Sequence, residues 1–260
     1  MTEAPVLWNL DARGVAEVTL NRPAVNNAYD GGMIEGLHAA MDALADASGL
    51  RVVVVTGNGR HFQAGADLKW LNGVRAGTRD ENIHASQRTA DAVDRLNRLP
   101  VPTVALIQGF CVGGGTGLAA ACDVVIAADD ATFAISEVRW GLTAAIIIPQ
   151  LADAIGARQI RRYALTGERF GAEEARRIGL VHDIVPAAAL SASGERIVEA
   201  LLANGPTAIA ETKMTALDYA YGAFSKEAMA RLVASHAAKR MSDEAGEGLA
   251  SFKEKRHARW

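Results

Sequence analysis

The sequence predicts an α/β fold built from stacked strand–turn–helix units, followed by a mainly helical C-terminal region. Three observations carry this expectation. As far as about Pro149, runs with strand character alternate with runs of helical periodicity. Two of the units look alike: "VVVVTGNGRHFQAGADL" and "VALIQGFCVGGGTGL" each pass from a buried strand through a glycine-containing loop to a small-Gly-small triplet. Beyond Pro149 the pattern is mostly helical, punctuated by Pro186 and Pro206. The likeness of the two units favours stacking over an open nucleotide-binding sheet.

Taken in order, "VAEVTLNRP" alternates, with Ala16, Val18 and Leu20 on one face, and Asn21-Arg22-Pro23 stops the strand. Met33/Ile34, Leu37, Met41 and Leu44 recur at three- and four-residue steps and predict a helix over about Tyr29–Ala45. "RVVVVTG" is a continuous β-branched run of the kind buried on both faces, ending in the loop "NGRHFQAGADLKW". Ile83, Ala90, Val93 and Leu96 mark a second helix, closed by Leu99-Pro100-Val101-Pro102. "TVALIQG" and "DVVIAA" are strands on either side of a glycine cluster, and "ATFAISEV" is a short alternating segment. A last amphipathic stretch runs through "EGLASFKEKRHARW". No linker is long enough to separate two independent domains.

Composition narrows the functions. The chain has 260 residues, half of them apolar, and a net charge of −3, so nothing points to a nucleic-acid or other polyanion partner. Two cysteines give neither a disulfide framework nor a metal spacing, which fits a reducing compartment. No metal is expected. The opening "MTEAPVLWNLDARG" lacks a basic flank before an apolar core, and no run of about 18 apolar residues occurs. The expectation is a cytoplasmic globular protein with no membrane partner.

The stretch "CVGGGTGLAAACD" places four glycines in the five positions 113–117. Such bare backbone permits unusual dihedrals or the close approach of a ligand to main-chain N–H groups. Gly115-x-Gly117-x-x-Ala120 matches a relaxed dinucleotide fingerprint, but the next strand begins near Val124, too soon for a full crossover helix. There is no phosphate loop, no nucleophile elbow and no zinc spacing among the histidines. Two readings stay open on these residues alone. The glycines could let helix and strand pack closely, or a helix opening near Gly114 could point unpaired N–H groups at an oxygen that becomes negative, with Ala66 in "AGAD" as a second donor.

"FQAGADLKWL", "GGGTGLAAACDVVIAADDATFAISEVRWGL", "RRYALTGERFGAEEARRIGLVHDIVP" and "EGLASFKEKR" together resemble the enoyl-CoA hydratase/isomerase family, the crotonase superfamily, nearly end to end. The resemblance implies a crotonase-like spiral of ββα units over residues 1–200 and a helical oligomerisation region over 201–260. It also implies acyl-CoA thioester substrates, a homotrimer or a hexamer of paired trimers, and no cofactor beyond the coenzyme A of the substrate. Gly114 and Ala66 would then hold the thioester oxygen. For CoA it points to Arg22 and Lys69 near the phosphates and to Ala64, Gly65, Asp67 and Leu68 around the adenine. Gly113, Gly117 and Trp140 join the substrate site, and Phe252 with Lys255 is expected to reach across from a neighbouring subunit. Taken singly, each basic residue reads equally as a surface charge.

A thioester enolate needs an acid or base beside it, preferably a carboxylate with its pKa moved toward neutrality. Alternation in "FAISE" puts Glu137 on the face of Phe133 and Ile135, among apolar groups that would raise its pKa; a solvated, strand-terminal glutamate is the plain alternative. The resemblance matches Glu137 to the family's second catalytic glutamate. The first is absent, because Gly117 stands where hydratases of the family carry it, and the bare position is expected to leave room for water or a polar part of the substrate. "TAAIIIPQ" replaces a glycine-rich segment, so Ile146 to Ile148 are expected to reshape the acyl pocket. The leading expectation is a 2-enoyl-CoA hydratase. An isomerase or a hydratase–lyase using the same glutamate, and a non-catalytic acyl-CoA or RNA-binding scaffold, are the alternatives. Asp67 is expected to fix its own loop, and His61, His182, Tyr163 and Ser136 have no expected chemical role.

Overall fold

The structure of the protein, a computed structural model, describes residues 4–221 and 226–256. A six-stranded sheet orders its strands β1-β2-β3-β4-β6-β9. These are β1 Val6–Leu10, β2 Val15–Leu20, β3 Val52–Gly57, β4 Thr103–Ile107, β6 Val124–Ala128 and β9 Asp183–Val185. Only β1 and β2 pair antiparallel; every other neighbour is parallel, with Val15 beside Val52, Val53 beside Thr103, Val104 beside Val124 and Ile126 beside Asp183. The β-branched run of β3 is buried on both faces, as expected: Val53 and Val55 join the main core, whereas Val52 and Val54 join a second cluster under Leu190 and Val198. Those two belong to helix α7, Leu190–Leu202, which lies across the back of the sheet.

A second, smaller sheet forms from β5 Phe110–Val112, β7 Thr132–Ala134 and β8 Phe170–Gly171. Two isolated parallel bridges extend this layer, joining Gln63 to Cys111 and Tyr29 to Ala66. Gln63 N donates to Phe110 O at 2.9 Å, and Val112 N donates to Gln63 O at 3.0 Å. The two look-alike units of the sequence therefore lie side by side in register, each feeding from the large sheet into the small one. Stacking is how they bury their apolar faces.

Helix α1, Gly31–Ala45, starts two residues later than its periodicity suggests, because Asp30 caps it by accepting from Met33 N at 2.9 Å. The loop after β3 hides a helix the sequence did not announce, α2 Leu68–Ala76, whose cap is Asp67. Thr78 and Glu81 form a capping box for α3, Arg79–Asn97. Helix α4 is Gly114–Ala120, and α5 runs over Ile148–Thr166 with a non-helical break at Gly156. Then come α6 Ala172–Ile178, the already named α7, α8 Pro206–Tyr221, α9 Lys226–Arg240 and α10 Asp243–Lys253. The C-terminal helices return to the core: α9 packs along α3 and on the turn Ala145–Ile147, and α10 packs on the turn Glu137–Trp140. The last residues of the expected amphipathic stretch, 257–260, lie outside the described residues.

Candidate active site

Three edge segments of the small sheet converge on one cavity of about 770 Å³. The first is Gln63–Ala66, the second is β5 with the start of α4, and the third is the run from β7 into the turn at Glu137. Gly65 has φ +86° and Gly113 φ +56°, a left-handed region that suits glycine at both bends. The bends touch: a Cβ on Gly65 would lie 3.3 Å from Val112 O, and one on Gly113 would lie 3.6 Å from Gly65 Cα. Gly113 N donates to Ala134 O at 2.8 Å, which ties the second segment to the third. Past the bends, Ala66 N and Gly114 N have no acceptor among the described residues, and both residues line the cavity. Gly114 N heads α4, so the positive end of the short helix dipole adds to its pull on a negative charge.

Glu137 stands beside them. Its Oε1 lies 3.2 Å from where a Gly113 side chain would begin, so a larger residue there would crowd the carboxylate. Its Oε2 is sealed from solvent and has no hydrogen-bond partner among the described residues. Burial raises the pKa to about 7, against the partial opposition of the Glu137 and Ser136 N–H groups. The physical reason differs from alternation along a strand: β7 ends at Ala134, and Glu137 opens a 3-10 turn, Glu137–Trp140. The turn, rather than the pleat, points the carboxylate inward.

A family model described as enoyl-CoA hydratase/isomerase matches residues 11–260. The chain belongs to the enoyl-CoA hydratase/isomerase family. It is similar to the hydroxycinnamoyl-CoA hydratase-lyase of Pseudomonas fluorescens, 34% identical over 77% of this chain and 74% of that one. It is also similar to the mitochondrial Delta(3,5)-Delta(2,4)-dienoyl-CoA isomerase of Dictyostelium discoideum, 30% identical over 95% and 87% of the two chains. Among solved structures it superimposes on an enoyl-CoA hydratase from Shewanella pealeana with a TM-score of 0.81 and 33% identity, covering 98% of this chain and 96% of that one. The fold is thus the crotonase-like α/β fold that the motifs implied, with a helical C-terminal region.

Seen against this family, the expected site residues fall into groups. Arg22, Ala64, Gly65, Ala66, Asp67, Leu68, Lys69, Gly113, Gly114, Glu137, Trp140 and Phe252 all line the cavity, whereas Gly117 and Lys255 do not. Arg22 is held by Asp30 at 2.9 Å and Asp67 at 3.2 Å, and it donates to Ala28 O, so its charge braces the loops that carry Ala66. Asp67 does fix its own loop, accepting from Lys69 N at 2.9 Å. His61 and His182 are structural: their Nδ1 atoms accept from Phe110 N and Val125 N, each at 3.0 Å. Tyr163 is a core residue bonded to Glu174.

One expectation needs correction. The space beside Gly117 is filled, because a Cβ there would lie 2.3 Å from Ile147 Cγ2. Ile147, buried on the wall of the cavity, takes the volume expected to hold water. Phe252 meets the cavity of its own chain, with its ring edge-on to Trp140 at 4.5 Å. It arrives there because Leu249 and Ala245 of α10 are buried against Leu71 and Leu142. Lys255 sits beyond the end of that helix, exposed and with φ +52°, away from the cavity.

Sequence reasoning missed Tyr29, His236 and Arg240, which line the same cavity. Tyr29 packs against Gly114, whose Cβ would lie 2.6 Å from Tyr29 Cε1, and edge-on to Trp70 at 5.6 Å. Burial pushes its phenol up to about 12, so it stays a proton-bearing donor. None of the three belongs to a periodic pattern or motif that would have flagged it.

Proposed function

We propose that the protein is a 2-enoyl-CoA hydratase working with one carboxylate. The observation that carries this reading is the convergence, in one cavity, of two N–H donors without acceptors and a buried glutamate whose Oε2 is unpartnered, among the described residues. Ala66 N–H and Gly114 N–H hold the thioester oxygen, which becomes an enolate oxygen as a nucleophile adds at C3. Glu137, ionised, takes a proton from water as the water oxygen bonds to C3. The electron pair of the C2–C3 double bond moves into the enolate, and Glu137 then returns a proton to C2. Hydration is complete with every proton accounted for. A pKa near 7 suits a group that must accept and release a proton in one turnover.

A second reading is favoured by the Ile147 side chain, which makes the wall next to Gly117 apolar. With an isoleucine side chain filling that position, Glu137 could shuttle a proton between two carbons of the acyl chain and shift the double bond without water. Incubation with a 2-enoyl-CoA in ¹⁸O-labelled water separates the two. Hydration places the label on C3 of a 3-hydroxyacyl-CoA, and Glu137→Gln lowers that turnover by roughly 10²–10⁴. Double-bond migration without label overturns the hydratase reading, a released aldehyde with acetyl-CoA indicates a hydratase–lyase, and inertness toward every ester, with Glu137→Gln changing nothing, leaves a binding scaffold.

A further inference from the structure

Both residues that offer N–H donors to the cavity are held by Tyr29. Its main chain clasps Ala66: Tyr29 N donates to Gly65 O and Asp67 N donates to Tyr29 O, each at 2.8 Å, in the parallel bridge that pairs Tyr29 with Ala66. Its ring reaches across to the second donor residue. A Cβ on Gly114 would lie 2.6 Å from Tyr29 Cε1, 3.2 Å from Cδ1 and 3.5 Å from Cζ. Only a glycine leaves room for that ring, and the hydroxyl carried on Cζ stands beside the residue whose N–H heads α4. Trp70 packs edge-on to the ring at 5.6 Å and fixes its plane.

The hydroxyl is the part of this side chain that the packing does not use, since a phenylalanine would fill the same space against Gly114 and Trp70. It bonds to nothing among the described residues, yet it is not sealed as Glu137 Oε2 is, and so it opens on the cavity that Tyr29 lines. The carboxylates nearest to it in the chain and across the bridge, Asp30 and Asp67, are taken up by Arg22. Glu137 lies within electrostatic reach without hydrogen bonding to it. Once a ligand displaces water from the cavity, a hydroxyl left without an acceptor costs about 1–3 kcal/mol, so the ligand itself has to supply one.

We propose that the Tyr29 hydroxyl is a third donor to the oxygen that Ala66 N–H and Gly114 N–H hold, and thus a catalytic residue. The proposal deepens the acyl-CoA reading and rests on it. The two N–H groups are fixed in main chain, whereas the phenol O–H turns about its C–O bond and follows the oxygen as the carbonyl becomes an enolate. Its hydrogen bond strengthens as charge develops, because a bond to an ionised acceptor is about twice as strong as one to a neutral acceptor. That difference lowers the barrier rather than tightening the ground state. Tyr29 keeps its proton throughout; Glu137 alone carries protons between water and carbon.

Tyr29→Phe keeps the ring and deletes the hydroxyl. Acetoacetyl-CoA is the probe, because its enolate absorbs in the near ultraviolet and the ratio of enolate to keto form on the protein reads charge stabilisation at the oxygen without turnover. In the variant that ratio is expected to fall about tenfold to a hundredfold, the worth of one hydrogen bond to a charged acceptor. The affinity for butyryl-CoA, a neutral thioester, is expected to stay nearly constant. Turnover of a 2-enoyl-CoA should drop roughly 10²–10³ with KM little changed. An unchanged enolate ratio overturns the proposal, and so does a loss of butyryl-CoA affinity as large as the loss in the ratio, which would mark the phenol as a wall. If the variant does not fold, 3-fluorotyrosine at position 29, a stronger donor of nearly the same shape, decides: the ratio should rise, and a ratio that stays or falls overturns the proposal. A native protein that binds neither ester would take down the acyl-CoA reading and this proposal with it. Binding of both esters with no enolate at any pH would remove the oxygen site and its third donor while leaving the acyl-CoA reading in place.

Discussion

Glu137 has a consequence for stability as well as for chemistry. Its carboxyl titrates near 4.5 in the unfolded chain and near 7 in the folded protein. Below pH 4.5 both states hold the proton; between the two values the folded state holds it alone, so stability falls as pH rises and levels off above 7. Glu137→Gln removes this dependence. The variant is expected to gain on the native protein between pH 5 and pH 8 by up to about 3 kcal/mol, read from thermal or urea unfolding at both pH values. The activity of the native enzyme should show the opposite trend, rising through pH 7 as the base ionises. A second expectation concerns Gly117. Because Ile147 Cγ2 would lie 2.3 Å from a Cβ at this position, Gly117→Glu should destabilise the protein by about 1–3 kcal/mol. Adding Ile147→Ala should recover much of that loss, and a thermal double-mutant cycle would show the coupling. The sequence made the glycines and Glu137 legible because each sits in a short motif. It left Ile147 ambiguous, because which volume an isoleucine fills is settled only by the helix facing it.

At the scale of elements, α10 is held to the active site by its backbone as much as by Phe252. A Cβ on Gly248 would lie 2.2 Å from the carbonyl of Trp140, so α10 and the turn carrying Glu137 meet main chain to main chain. Gly248→Ala should lift the helix, lower the melting temperature, and raise KM for an acyl-CoA ester more than it lowers kcat, since Phe252 and Trp140 form a wall and carry no chemistry. Steady-state kinetics and calorimetry on one preparation check both. The same scale shows why some elements were readable. β3 and β4 announce themselves by unbroken apolar runs, and α1 and α3 by recurring apolar positions on one face. β1 did not, because it is an edge strand with only Val6 buried and so has no alternation to read. Helix α2 begins inside a glycine-rich loop and buries only Leu71, so its cap, Asp67, was a better signal than its periodicity.

At the scale of the whole molecule, the resemblance implied a trimer or a pair of trimers, and we propose that assembly for this chain. Sedimentation velocity at micromolar concentration should give three or six copies, and a stable monomer with full acyl-CoA affinity would show that the site is complete within one chain. The fold's overall plan was legible because its repeated unit appears twice in the sequence. Arg240 and Tyr29 were not, since they come to the cavity from elements separated by most of the chain. The parallel bridge between Gln63 and Cys111 adds one more consequence. Past it the two strands turn away at Gly65 and Gly113, and these bends touch, a Cβ on Gly113 lying 3.6 Å from Gly65 Cα, so the two N–H donors follow directly on packed backbone. Their separation is therefore set where the two bends pack on each other rather than by either loop alone. A gauge cut into the scaffold in this way does not drift as loops loosen with heat, and activity should persist up to the temperature at which the sheet itself comes apart.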